Sequence, residues 1–265
     1  MEIPIHHLDA FVTDGVFSGN PAAVCPLREW LPDRVMQQIA TENNLSETAF
    51  FVGGNGVYRI RWMTPASEID LCGHATLASA HVVFTKLEPG RKDVRFDSQS
   101  GPLHVRADGD VLVLDFPARP PHPFDDAGVT VPLAEALGAK PREVMISRDL
   151  VAIFESADEV RNLKPDMTRL AAIDTHGVIV TARGDEPGVD FVSRFFTPQQ
   201  GVPEDPVTGS AHCTLIPLWA GRLGKHELRA RQLSRRGGEL RCALRGDRVD
   251  IGGHAVLVAR GTLLV

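Results

Sequence analysis

The strongest constraint on this chain is that it contains one segment twice. Residues 61–87 read RWMTPASEIDLCGHATLASAHVVFTKL, and residues 194–219 read RFFTPQQGVPEDPVTGSAHCTLIPLW. Each copy has an Arg, two bulky apolar residues and Thr-Pro, then a loop, then Gly-X-Ala opening a largely apolar stretch. In physical terms each is a strand ended by Pro, a loop, and a helix that begins on Gly. Residues 75–84 interrupt their apolar run only with Thr76, Ser79 and His81. A helix without a wide polar face is expected to be buried on every side. Its first N–H groups still need partners and its N-terminus carries partial positive charge, so something polar or anionic is expected at Gly73 and at Gly209. Two similar halves with two such helix ends suggest one ligand held by both.

A length of 265 residues allows one large or two ordinary domains, and a hydrophobic fraction of 43% supplies a core. The N-terminus, MEIPIHHLDAFV, lacks the basic and continuous apolar regions of a signal peptide, and no uninterrupted apolar run is long enough to span a bilayer. A cytoplasmic protein without a membrane partner is the expectation. Cys25, Cys72, Cys213 and Cys242 are widely spaced with no C-x-x-C, which indicates neither a disulfide framework nor a zinc ribbon. The net charge of -6 argues against nucleic acid as a partner.

Taken in order, residues 3–12 read as a strand, followed by turn chemistry at Thr13-Asp14-Gly15 and Ser18-Gly19-Asn20-Pro21 and an apolar strand from Ala22. Pro32-Asp33 opens an amphipathic helix with Val35, Met36, Ile39 and Ala40 on its apolar side, ending near Asn43-Asn44. Strands are expected at 49–52, 94–98, 103–106 and 111–116. Residues 118–123 are Pro-rich and mark the best boundary. Beyond them come short helices at 131–137 and 166–173, strands at 143–147, 151–155, 178–182 and 189–196, and hairpins from 228 to 265. The second half repeats the order of the first, as a duplicated αβ domain would.

The ten histidines invite a metal, but His6 and His7 adjoin in a strand and point to opposite faces, and neither His74 nor His212 has an H-x-x-x-H partner. No metal site is expected. Gly209-Ser210-Ala211 is not a G-x-S-x-G elbow, and Gly53-Gly54-Asn55-Gly56 is a hairpin turn without the Lys-Ser/Thr of a phosphate loop. What remains is a set of proton-handling groups: Cys72 and His74 at the first helix end, Glu204, Asp205, Ser210 and His212 at the second. Glu47 stands between a helix end and an apolar strand, where partial desolvation of a carboxylate favours its protonated form and lets it both take and give protons. On pattern alone Glu47 reads better as an exposed strand start or cap partner, while His74 reads equally as a helix cap and Asp205 as a turn residue before Pro206.

Asp9-Ala10-Phe11 with Phe17-Ser18-Gly19-Asn20-Pro21-Ala22, Asn44-Leu45-Ser46-Glu47-Thr48, Cys72-Gly73-His74-Ala75-Thr76, and Glu204-Asp205-Pro206-Val207-Thr208-Gly209-Ser210-Ala211 together resemble the PhzF-like phenazine-biosynthesis isomerase family. The four motifs fall in the family's order over essentially the whole chain. The resemblance implies a diaminopimelate-epimerase-like α+β fold, with two similar domains, each a curled mixed sheet around a central helix, and an active site in the cleft between them. The domains are expected at 1–118 and 119–257, with a last strand, 258–265, able to join the first. It also implies a homodimer, no cofactor, and a small carboxylate-bearing metabolite as substrate. Residue by residue, Glu47 matches the family's catalytic carboxylate. His74 and Asp205 match its catalytic polar partners, with Ser210 beside the substrate. Asn20, Cys72, Gly73, Thr208, Gly209 and Ser210 fall at substrate-binding positions, the N–H groups near Gly73, Gly209 and Ser210 forming a carboxylate cradle.

Two departures bear on the substrate. The related epimerases and racemases use a thiol at each helix end, whereas here Cys72 is followed at the second end by Thr208. The stretch from Gln232 to Gly238 fits the family's Gln-Gly…Gly-Arg pattern only loosely. An amino-acid epimerase, racemase or dehydratase using Cys72, and a non-catalytic small-molecule binding protein, are the alternatives.

Overall fold

The computed structural model describes residues 1–13 and 16–265; Asp14-Gly15, part of the first expected turn, lies outside the described residues. The chain divides into one unit of residues 1–116 and 250–265 and another of residues 117–249. The first break falls beside the Pro-rich segment. The chain re-enters the first unit at residue 250, eight residues before the strand expected to return.

In the first unit, β1 (Glu2–Ala10), β2 (Asn20–Leu27), α1 (Asp33–Asn43), β3 (Glu47–Gly54), β4 (Val57–Met63), β5 (Glu68–Ile69), α2 (Gly73–Val82), β6 (Asp93–Ser98), β7 (Gly101–Asp108) and β8 (Val111–Pro117) follow in order. In the second, β9 (His122–Pro123), α3 (Ala127–Leu137), β10 (Glu143–Ile146), β11 (Leu150–Ile153), α4 (Ala157–Asn162), α5 (Met167–Ala171), β12 (Val178–Arg183), β13 (Phe191–Thr197), β14 (Val202–Asp205), α6 (Gly209–Leu223), β15 (Glu227–Gln232) and β16 (Gly238–Arg245) lead to β17 (Arg248–Gly253) and β18 (Ala255–Leu264). β18 lies antiparallel to β1 along its whole length.

The two units repeat one pairing scheme. β2 and β3 are parallel, β3 is antiparallel to β4, β4 is antiparallel to β5 and parallel to β6, and β6 is antiparallel to β7. β11 and β12, β12 and β13, β13 and β14, β13 and β15, and β15 and β16 reproduce those five relations in the same senses. Each sheet carries small helices on one face. Met36 and Ile39 of α1 pack with Ile5, Phe50 and Met63, and α3, α4 and α5 pack Leu133, Val160 and Leu170 with Val180 and Phe196. The other face holds the central helix. All of α2 except His81 is buried, as its composition requires, and Trp219 of α6 donates from Nε1 to Thr181 Oγ1 on β12 at 3.0 Å.

The Arg of each repeat has the same task. Arg61 forks onto Glu68 through Nε at 2.8 Å and Nη2 at 2.6 Å, and Arg194 forks onto Glu204 at 2.7 and 3.1 Å. Bidentate pairing of this kind fixes the loop between strand and helix. It assigns Glu204, a candidate proton-handling group by sequence, to structure. Pro217 inside α6 has no N–H to offer the Cys213 carbonyl, and Arg119 N–H fills that place at 2.8 Å, tying the Pro-rich segment to the helix. Helix α4 was absent from the sequence reading although Ser156-Ala157-Asp158-Glu159 carries its cap, Ser156 Oγ accepting from Glu159 N–H. α3 starts four residues before the expected 131, because Asp126 caps it by accepting from Gly128 N–H.

Candidate active site

Three strand and helix beginnings meet in the first unit. Gly19, at φ +69, has the Ala10 carbonyl oxygen 2.3 Å from where a Cβ would stand, so only glycine lets the chain turn there into β2. The next residue, Asn20, is fully buried. Asn44 closes α1 in the left-handed conformation, φ 47, with its N–H on the Ala40 carbonyl, and the chain reverses so that Glu47 opens β3 beside Ala22 of β2. Cys72 is the extended N-cap residue of α2, with Gly73 and His74 the first two helical residues.

His74 Nε2 stands 3.0 Å from Glu47 Oε2, an ion-pair distance set off the line of a regular hydrogen bond. The imidazole is 4% exposed and the Glu47 side chain 13%, so the carboxylate keeps access to solvent that the ring has lost. On the other edge of the ring, Nδ1 meets the Asn20 amide at 3.1 Å and Cys72 Sγ at 3.5 Å. Burial pulls the His74 pKa down, but Cys72 and Glu47 beside the ring outweigh it and raise the pKa well above the ordinary value. Burial, reinforced by the Glu47 charge, pushes the Cys72 thiol up to about 11. A thiol held that high is neutral near pH 7 and is not poised as a base. The Gly73 and His74 N–H groups, first in α2, have no partner among the described residues.

In the second unit the N-cap residue of α6 is Thr208, again extended. Its hydroxyl and the Asp205 carboxylate meet at 2.5 Å. Gln232 clamps the turn: its Oε1 accepts from Thr208 N–H at 2.9 Å, while Nε2 donates to the Asp205 carbonyl at 2.8 Å and to Thr208 Oγ1 at 3.1 Å. Gly209 is buried and Ser210 half-buried, and their N–H groups have no partner among the described residues. His212 donates from Nδ1 to the Thr208 carbonyl at 2.8 Å, and its buried Nε2 has no hydrogen-bond partner among the described residues. Burial, only partly offset by that carbonyl, lowers the His212 pKa to about 4.

Asn20, Glu47, Cys72, Gly73 and His74 thus converge at one helix end, and Asp205, Thr208, Gly209 and Ser210 at the other. Gln232 was missed as a site residue. Its signal was a Gln in the inward slot of an alternating strand whose other inward residues are Leu228 and Ala230. Ligand atoms of Glu47, Cys72 and His74 all lie within 4.8 Å of one another. Such N, O and S donors are a set that could hold an ion of zinc type, a grouping that the sequence spacing does not show. Among the described residues no helix is long and apolar enough to cross a membrane.

Residues 8–261 match the family model described as phenazine biosynthesis-like protein, PhzC-PhzF. A protein of Pseudomonas aeruginosa named an uncharacterized isomerase is 55% identical over 265 residues, with 99% of each chain covered. The crystal structure of a PhzF-family phenazine biosynthesis protein from Enterococcus faecalis is similar at a TM-score of 0.94 and 47% identity, covering 100% of both chains. A hydroxyproline epimerase from Agrobacterium vitis shares the fold at a TM-score of 0.64 and 11% identity, over 99% of this chain and 91% of its own.

Proposed function

Because the chain belongs to the phenazine biosynthesis-like PhzC/PhzF family, with isomerases among its named relatives, we propose that it moves a proton between carbons of a small carboxylate-bearing metabolite. Glu47 is the general acid/base. The observation that carries this is the Glu47–His74 contact at 3.0 Å, buried but for slight exposure of the Glu47 side chain, and set at a helix start whose first N–H groups have no partner among the described residues. A carboxylate that alternates between charged and protonated forms needs a neighbour that accommodates both. The raised His74 imidazole, anchored by Asn20, keeps its own proton and stands against the carboxylate. Helix-start N–H groups at Gly73 and at Gly209–Ser210 suit the substrate carboxylate and the enolate-like charge that develops when an adjacent carbon loses its proton. Asp205, held with Thr208 and Gln232, is the polar partner at the second helix end. No step in this scheme calls for a cofactor. The working protein is proposed to be a cytoplasmic homodimer.

The test is incubation in deuterated water with a panel of cyclic and acyclic amino-acid-like carboxylates, read by mass spectrometry. Deuterium entering carbon with the wild type and not with Glu47→Gln is the expected result. Equal exchange by both proteins removes Glu47 as the base. Binding of a panel member without exchange by either supports the non-catalytic reading.

A further inference from the structure

The repeat can be followed residue by residue through the shared strand pairing. Aligning Arg61 with Arg194 sets Thr48, partner of Met63, against Val178, partner of Phe196. The parallel ladders then set Glu47 against Gly177, and Ala22 against Asp149. The position that bears the Glu47 carboxylate in the first unit therefore bears no side chain in the second. None fits there, since a Cβ on Gly177 would stand 2.4 Å from the Phe195 ring and 3.1 Å from Asp149 Oδ1.

The carboxylate comes from the neighbouring strand register instead. Asp149 is 2% exposed and faces His176 Nδ1 at 2.8 Å, while Arg148 Nη2 lies 2.9 Å from His176 Nε2. Arginine can only donate, so Nε2 accepts and the ring proton sits on Nδ1, directed at the buried acid. The buried carboxylate thereby orients an imidazole whose outer nitrogen holds a half-buried guanidinium. No acid pairs with Arg148 among the described residues, nor with Arg119, whose carbonyl accepts from the neighbouring Ser147 hydroxyl. Both guanidinium charges act on Cys213 in the second turn of α6. Burying an acid against an imidazole costs free energy, and a mere staple of this turn would be served as well by apolar side chains.

We propose that Arg148, Asp149 and His176 form an anion site in the second unit, at the place corresponding to Glu47 in the first. There Arg148 binds the carboxylate of a small organic acid, and His176 and Asp149 are its positioning residues. The proposal rests on the function above only for its ligand class.

Calorimetric titration with benzoate and with succinate tests it. The wild type binds one of them saturably, and Arg148→Met weakens that binding at least about tenfold. Asp149→Asn, whose side-chain oxygen still accepts from His176, stays within about threefold of wild type, whereas Asp149→Leu weakens it as Arg148→Met does. In protein labelled with ¹⁵N-histidine, the His176 signals show the Nδ1–H tautomer and move when the probe is added. Arg148→Met binding as tightly as wild type, static His176 signals, or no binding of either probe by the wild type overturns the proposal. Glu47→Gln, titrated alongside, separates binding at Arg148 from binding beside the α2 helix start. Loss of binding there and not in Arg148→Met overturns the proposal while leaving the acid/base reading intact. Failure of deuterium exchange with probe binding retained sinks only the acid/base reading.

Discussion

The N-terminal ends of α2 and α6 grow from the same sequence repeat, yet the histidine at each has opposite chemistry. His74 is the second residue of its helix and faces Glu47, Asn20 and Cys72, and its pKa is raised. His212 is the fourth residue of its helix, reaches only the Thr208 carbonyl and lies against the Phe191 ring, and its pKa falls to about 4. Within the repeat the residue matching His212 is Thr76, whose hydroxyl donates to the Cys72 carbonyl as His212 does to that of Thr208. The residue matching His74 is Ser210. His212 therefore repeats a structural hydrogen bond, and the charge-bearing role occurs at the first end only. The difference teaches that a helix start does not by itself set the direction in which a histidine's pKa moves; the groups delivered beside the ring do.

The largest expected effect tests that asymmetry directly. Glu47→Gln should lower proton exchange by about 10²–10⁴-fold, and Ser210→Ala by about tenfold through loss of one hydrogen bond to the ligand. Deuterium incorporation measures both, and equal losses would remove the distinction between the two ends.

The next effect lies in stability against pH. His212 is lowered from 6.5 to about 4, so the folded state binds its proton more weakly than the unfolded state. Its contribution is present above pH 6.5 and is lost as pH falls toward 4, roughly 3 kcal/mol in all. Urea unfolding across that interval should show a shallower fall for His212→Leu than for the wild type. His74 runs the other way. With its folded pKa raised, its contribution is complete below 6.5 and disappears as pH rises through the folded value, a loss that Glu47→Gln should diminish.

The paired arginines give a smaller contrast. The Arg194 side chain is 11% exposed and donates to the Val160 and Leu163 carbonyls as well as to Glu204, whereas that of Arg61 is 22% exposed and shares its charge with exposed Asp33. Arg194→Met should cost about 3 kcal/mol and Arg61→Met about 1 kcal/mol in urea unfolding. Equal costs would show that burial does not separate the two clamps. The smallest effect is at Cys72, whose raised thiol should stay unmodified by iodoacetamide near pH 7 in the native protein. Peptide mapping should detect only a slight rise in labelling in Glu47→Gln, because burial is the larger cause of the shift.

Much of the first helix end was legible before any coordinates. Gly19 and Gly73, the apolar run after Gly73 and the Arg-x-x-Thr-Pro lead-in each carry a local reason for their conformation. Glu47 stood out faintly from its place between a helix end and an apolar strand, and the family resemblance alone set it above a strand start, since its partner His74 lies 27 positions further along the chain. Gln232 showed only as a polar residue in an inward strand slot, and the Asp149–His176 pair not at all, for the same reason: a polar residue in a strand shows its partner only once the neighbouring strand's register is set.

By itself the sequence determined that this protein is a duplicated αβ chain with two buried helices. Apolar periodicity, Pro and Gly act within a few residues of where they stand. Only the tertiary structure decided which helix end sets a carboxylate against a histidine, which histidine has its pKa raised and which lowered, and that Glu204 is a clamp rather than an acid. Those outcomes depend on charges and hydrogen-bond partners brought within 3–4 Å from distant strands, and electrostatic interaction in a buried setting is governed by that separation rather than by distance along the chain.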